Sequence, residues 1–173
     1  MNSNKILKTN EDIKEDLKLL ASKINNDYRN TECLEIICFL NGATFFCSDL
    51  ARLLEVPNNI NFFGFSSYED LPKNGEVKIE QDLKKSIYKK DVLLLEGLTI
   101  SGRTPFYLYN FFQSRNPRTL KFCTLGVKTA YLKVDLKIDY HIYEFENEWV
   151  EGYGIGKGSN KSLQNLIDVR SSS

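Results

Sequence analysis

From Thr9 onward the apolar residues Ile13, Leu17, Leu20 and Ile24 recur at helical spacing up to about Arg29, with polar residues between them. Thr9 and Asp12 supply a T-x-x-D capping pattern, so the reading predicts an amphipathic helix that starts there. The periodicity then changes. Leu34–Leu40 is a short, nearly continuous apolar run that stops at Asn41-Gly42, as a buried strand would, and Phe45, Leu50, Leu53 and Leu54 resume a helical pattern. Ile60–Phe65 predicts a second strand leading into Ser66-Ser67-Tyr68, and Glu69–Glu76 carries the Pro, Asn and Gly of an exposed loop. Further strands are predicted at Val77–Glu80, Asp91–Leu95 and Leu120–Leu125, with a helix at Pro105–Phe112. Strands that alternate with helices imply an α/β chain built on a mainly parallel sheet.

Composition narrows this picture. A chain of 173 residues with 42% hydrophobic positions is long enough to bury one core without staples, so a single domain over 1–173 is expected, with 1–8 and 170–173 as flexible ends. The 23 basic residues balance the 23 acidic ones, which removes the charge excess that DNA, RNA or an anionic membrane would attract. Any bound anion must therefore be gripped locally. Cys33, Cys38, Cys47 and Cys123 form no C-x-x-C pair and three lie in apolar runs, as reduced buried thiols do. The first residues hold no apolar stretch of signal-peptide length and no run reaches the roughly 20 residues of a membrane span, so a cytoplasmic location is expected.

The candidate chemistry gathers around Val92–Thr104, VLLLEGLTISGRT. Val92–Leu95 supplies a strand, Ser101-Gly102 a turn, Thr104 a good N-cap and Pro105 the favoured first helical residue. Exposed N–H groups at the helix start, its positive dipole end, the hydroxyls of Thr99, Ser101 and Thr104, and Arg103 would together suit a phosphate. An ordinary capped helix after a buried strand explains the same residues. What tips the balance is position: Leu40-Asn41-Gly42 and Ser66-Ser67-Tyr68 should reach the same carboxyl edge of the sheet, where α/β proteins bind ligands. The segment from Gly152, GYGIGKGSNKS, alternates glycine and reads as mobile or as a backbone-lined site.

Read in order, LNGATFFCSDLARLLEVP, FFGFSSYED, DVLLLEGLTISGRT, SRNPRTLKFCTLGVKT, KVDLKIDY and ENEWVEGYG resemble the hypoxanthine/guanine phosphoribosyltransferases over almost the whole chain. The resemblance implies the type I phosphoribosyltransferase fold, a twisted, mainly parallel sheet flanked by helices with a small C-terminal hood. It implies purine-nucleotide or phosphoribosyl diphosphate ligands, and a homo-oligomer or a protein partner. Leu40, Asn41 and Gly42 match the diphosphate loop, usually Leu-Lys-Gly, whose first peptide is characteristically strained or cis. Ser66, Ser67 and Tyr68 match the start of the lid. Thr99, Ser101, Gly102, Arg103 and Thr104 match the 5′-phosphate cradle. Lys128, Trp149 and Val150 match the purine contacts, although by residue type alone Lys128 reads as a surface lysine and Trp149 as core.

Departures fall where the family's chemistry is concentrated. The acidic pair that holds the ribose hydroxyls is Glu96-Gly97 here, the proton-handling aspartate is Ile100, and the magnesium-binding aspartate after GYG-x is Gly156. Glu148, Glu151 and Asp168 lie near but read as solvated charges. No catalytic residue and no metal ligand is assigned. The expectation is a degenerate member that keeps a purine-nucleotide and 5′-phosphate pocket while losing most or all transferase activity, acting as a nucleotide-binding or partner protein. The alternatives are an active salvage enzyme, which would use Mg2+ to form IMP or GMP, and an interaction module with a relic pocket.

Overall fold

A computed structural model describes residues 5–67 and 77–172. The expected lid residue Tyr68 and the loop 69–76 lie outside the described residues. The element order is β1 Lys5–Lys8, α1 Asn10–Asp27, β2 Leu34–Phe39, α2 Thr44–Leu53, β3 Asn58–Ser67, β4 Val77–Gln81, β5 Asp91–Thr99, α3 Arg103–Gln113, β6 Thr119–Val127, β7 Tyr140–Glu144, β8 Val150–Glu151 and β9 Leu166–Asp168, with short 3-10 turns after β6, β8 and β9.

Six strands form the main sheet in the order β4-β3-β2-β5-β6-β7. All neighbours run parallel except β4, which pairs antiparallel with β3. β5 sits centrally because Val92–Leu95 is apolar on both faces and wholly buried. Helices α1 and α2 cover one face, where Ile13, Leu17 and Ile24 meet Ile36, Leu93 and Leu95. α3 covers the other through Leu108 and Phe112, which pack with Phe39, Phe63 and Phe122.

The Thr9 cap forms as expected: Asp12 N–H donates to Thr9 Oγ1 at 3.1 Å and Thr9 N–H to Asp12 Oδ2 at 2.9 Å. Three expectations need correction. Lys5–Lys8 is a strand and not a flexible end, because it pairs with Leu166–Asp168 in a second sheet of order β1-β9-β8. The small hood is thus built from both ends of the chain. Thr104 is not the cap of α3; that place belongs to Gly102, whose φ of 75° is the left-handed conformation that glycine adopts without steric cost. For the same reason Pro105 is not the first helical residue, which is Arg103; it falls in the first turn, where its missing N–H costs no helical bond.

Candidate functional site

β2 and β5 end at the same carboxyl rim, and the hood closes over it. A larger cavity of about 650 Å³ lies between rim and hood, lined by residues that include Asn41, Gly42, Glu96, Ile100, Lys128, Trp149 and Val150. A smaller one of about 150 Å³ lies at the start of α3, lined by Phe65, Glu96, Leu98, Thr99, Ile100, Ser101, Gly102, Thr104 and Pro105. Glu96, Leu98 and Ile100 belong to both, so β5 is the shared wall. Sequence-predicted residues from four separate segments are thereby brought together.

The smaller cavity lies at the α3 start, where the first-turn N–H groups and the positive dipole end favour an anion. Ser101 Oγ accepts from Arg103 N–H at 3.4 Å. The Thr99 hydroxyl does not join the cradle: it donates to Thr124 Oγ1 at 3.1 Å, and Thr124 passes the chain on to the Gly126 carbonyl at 2.8 Å. This follows from strand alternation, which turns the Thr99 side chain into the sheet interior. Arg103 is exposed and does not line the smaller cavity.

The other end is the mirror of what residue type alone suggests. Lys128 is buried, with 7% of its surface exposed, while Trp149 is 66% exposed. The Lys128 N–H donates to the Thr99 carbonyl at 3.0 Å, its ammonium lies 5.6 Å from the Tyr131 ring centroid, and burial pulls its pKa below the ordinary lysine value against the opposing pull of Glu148. Trp149 stands on a fixed backbone: its N–H donates to Asp168 Oδ1 at 3.0 Å and its carbonyl accepts from Val169 N–H at 3.0 Å. Asp168 is in turn gripped by Arg170, at 2.8 Å between Nη2 and Oδ2, which holds its carboxyl well below the usual range. Leu40 donates to the Phe63 carbonyl at 3.0 Å, and the Leu40-Asn41 peptide is cis, as the resemblance implies. Ser66 and Ser67 end β3, and Ser66 lines neither cavity.

Whether these residues fit the divalent metal that the resemblance implies can be tested directly. Among the described residues no three His, Cys, Asp or Glu side chains gather into a metal-binding group. Glu96 Oε1 accepts from Gly97 N–H at 2.7 Å, and both Glu151 oxygens are engaged, one by Gly158 N–H and one by Asn160 Nδ2, each at 3.0 Å. Nor is there room for an acidic side chain at positions 97 and 156. A Cβ at position 97 would collide with the Gly42 carbonyl, 2.8 Å from its carbon. A Cβ at 156 would lie 2.6 Å from Glu151 Cγ, at a φ of 112° that L side chains rarely adopt. Among the described residues the protein thus supplies no carboxylate cage for a magnesium ion.

Ile100 is one of three side chains at the junction of the two cavities, with Glu96 and Leu98, and it is 44% exposed. Sequence reasoning read Glu151 as a solvated charge and missed Lys157 and Lys161; all three line the larger cavity. The signal for the two lysines was the glycine-rich segment after Tyr153, read as mobile or backbone-lined without weight on them.

Residues 3–156 match the Phosphoribosyl transferase domain family. The hypoxanthine-guanine phosphoribosyltransferase of Mycobacterium tuberculosis is 36% identical over 156 residues, covering 87% of this chain and 77% of that protein. The Dictyostelium discoideum enzyme of the same name is 32% identical over 162 residues, 91% of this chain and 90% of that one. The structure of Trypanosoma cruzi hypoxanthine phosphoribosyltransferase in complex with the product IMP superposes with a TM-score of 0.91 at 31% identity, over 98% of this chain and 95% of that one.

Proposed function

This chain belongs to the hypoxanthine-guanine phosphoribosyltransferase family, and on that premise we propose that its pocket holds a purine nucleotide while phosphoribosyl transfer within it is slowed. In this reading the base lies in the larger cavity, against the Trp149 ring and the Val150 backbone, with its exocyclic oxygen toward Lys128. The 5′-phosphate lies in the smaller cavity, against the N–H groups of the α3 start and the Ser101 and Thr104 side chains. Glu96, on the shared wall, is placed for the ribose hydroxyls.

The observation that carries the slowed rate is Ile100. Transfer joins a base nitrogen to ribose C1 as diphosphate leaves, and the base must lose a proton. Ile100 lines both cavities, so it borders the place where base and ribose would meet, and an alkyl group neither accepts nor donates that proton. Loss of a positioned acid or base costs ~10²–10⁴ in rate. Binding rests on other groups, so it survives the exchange.

A second reading, a fully working salvage enzyme forming IMP or GMP, is favoured by one finding: the relatives named above are transferases that match nearly the whole chain. The deciding experiment pairs thermal melting with product detection. A bound nucleotide at 100 times its Kd raises stability by ~2.7 kcal/mol. Melting shifts with IMP or GMP, together with slow product formation from base plus phosphoribosyl diphosphate, are expected. No shift with any purine nucleotide overturns the pocket assignment and leaves a relic pocket, whereas turnover at the rate of the Mycobacterium tuberculosis enzyme establishes the second reading.

A further inference from the structure

By residue type Asp168 reads as a solvated charge, yet the fold buries it to 5% exposure. A carboxylate taken out of water is costly unless donors surround it, and the donors here define its role. Trp149 N–H reaches Oδ1 at 3.0 Å, and Arg170 N–H reaches the same oxygen at 3.1 Å. The Arg170 guanidinium then closes on both oxygens, with Nε 3.3 Å from Oδ1 and Nη2 2.8 Å from Oδ2.

Asp168 lies in β9, the middle strand of the hood, in register with Val150 of β8 on one side and Lys5 of β1 on the other. The next residue, Val169, donates its N–H to the Trp149 carbonyl at 3.0 Å. Both polar groups of the Trp149 backbone are therefore held by two consecutive residues of one segment. Trp149, Val150 and Val169 line the larger cavity, whereas Asp168 does not. The Trp149 ring needs such an anchor. It is 66% exposed, so the core does not set its plane. The rotamers open to a side chain depend on its backbone, and a ring that must be ordered when a ligand arrives gives up part of its contact energy. Fixing the backbone at 149 removes much of that cost and fixes Val150 beside it.

We infer that Asp168, locked by Arg170, is a positioning residue of the purine site: it sets the Trp149 ring and the Val150 backbone in the geometry a base requires, without touching the base itself. The inference rests on the proposed reading in that a purine occupies the larger cavity.

The experiment titrates the full chain by calorimetry with IMP and with ribose 5-phosphate, which carries the phosphate without the base. Trp149 is the single tryptophan of the chain, so its fluorescence anisotropy reports that ring alone. Asp168→Ala should weaken IMP about tenfold, leave ribose 5-phosphate within about twofold, and lower the anisotropy of the ligand-free protein. Asp168→Asn keeps an oxygen for the Trp149 N–H, so it should bind IMP within about twofold of the parent and restore the anisotropy. Arg170→Ala removes the lock and leaves the carboxylate, and should weaken IMP about threefold with ribose 5-phosphate unchanged. It carries the test if Asp168→Ala does not fold.

If Asp168 served only to hold the hood together, its loss would weaken both ligands in parallel. That pattern overturns the inference, as does an asparagine variant as weak for IMP as the alanine one. So does indifference of IMP binding to Asp168→Ala or, where that variant does not fold, to Arg170→Ala. When the parent binds IMP and the variants bind it equally well, the purine pocket stands and only the positioning role falls. When the parent fails to bind IMP, whether or not it takes ribose 5-phosphate, the purine reading falls and the positioning role goes with it.

Discussion

Strand β5 carries an acidic residue near each end, and the two are treated in opposite ways. At its start Asp91 is 4% exposed and fully engaged: Thr31 Oγ1 donates at 2.7 Å, Thr119 Oγ1 at 2.9 Å, Arg118 Nε at 2.9 Å, and Arg118 Nη2 closes an ion pair. These partners come from the loop before β2 and the start of β6, so one carboxylate fastens the amino edge of the sheet. At the other end Glu96 remains, but positions 97 and 100 hold glycine and isoleucine. The fold is unchanged, with the cradle and hood in place. Asp91 carries contacts that hold the sheet together, whereas the sheet holds with glycine at 97 and isoleucine at 100.

The strongest way to break this contrast is to restore the acid. Ile100 is half-exposed between the cavities, so an aspartate fits there without displacing the core. Ile100→Asp should raise the rate of IMP or GMP formation by ~10²-fold or more, read as product formed under saturating phosphoribosyl diphosphate. Its melting temperature should stay close to the parent's. An unchanged rate would mean that proton handling is not what limits transfer here.

Asp91 should respond the other way, losing stability with no special effect on transfer chemistry. Asp91→Ala leaves the Thr31 and Thr119 hydroxyls without their acceptor and should cost about 3 kcal/mol in denaturant unfolding. The pH dependence follows from the same contacts. Arg118, with desolvation opposing, brings the Asp91 pKa down from 3.8 to about 2. A depressed folded-state pKa stabilises fully above the unfolded value, so this share, about 2 kcal/mol, is present above pH 3.8 and lost as pH falls toward 2. Asp91→Asn should flatten that part of the acid limb; an acid limb identical to the parent's would show that Asp91 is not linked to folding.

The amino end of this comparison was partly legible in the sequence and the carboxyl end unevenly so. Val92–Leu95 announced a central strand because four apolar residues in succession can only be buried on both faces. The Thr9–Asp12 cap was legible because it is local. Pairing of Lys5–Lys8 with Leu166–Asp168 was not, since such short segments carry no periodicity and their partners lie at opposite ends of the chain. Thr104 misled as a cap because its residue type fits the role, while the real cap depends on the backbone conformation of Gly102. The exchange at Ile100 needed only the family register. The lysines at 157 and 161 lie in a segment that read as mobile or backbone-lined, and only the hood brings them over the rim.

Gly97 sharpens the contrast at intermediate cost. A methyl group there meets the Gly42 carbonyl, and 3.2 Å away it meets Ile155 Cγ1. Gly97→Ala should therefore push the Asn41-Gly42 turn out of the cavity and cost about 2 kcal/mol, seen as a fall in melting temperature. Gly97→Asp should behave no better, although it restores an acid. If Gly97→Asp instead folded like the parent and raised turnover, the close approach of Gly42 to β5 would be adjustable, and the missing acid rather than the closed backbone would be the barrier.

The smallest expected effect separates holding from folding within the site itself. Trp149 exposes most of its ring, and its backbone is fixed by Asp168 and Val169 independently of the side chain. Trp149→Ala should then leave the melting temperature of the ligand-free protein nearly unchanged. It should weaken IMP and GMP by about 1 kcal/mol, the lower end for stacking of a base on an aromatic ring, because the ring's other face remains in water. Inorganic phosphate, which the α3 start would hold without the ring, should bind equally in both proteins. A stability loss as large as that of Asp91→Ala would place Trp149 with the residues that hold the fold, and the division between the two ends of β5 would no longer extend into the hood.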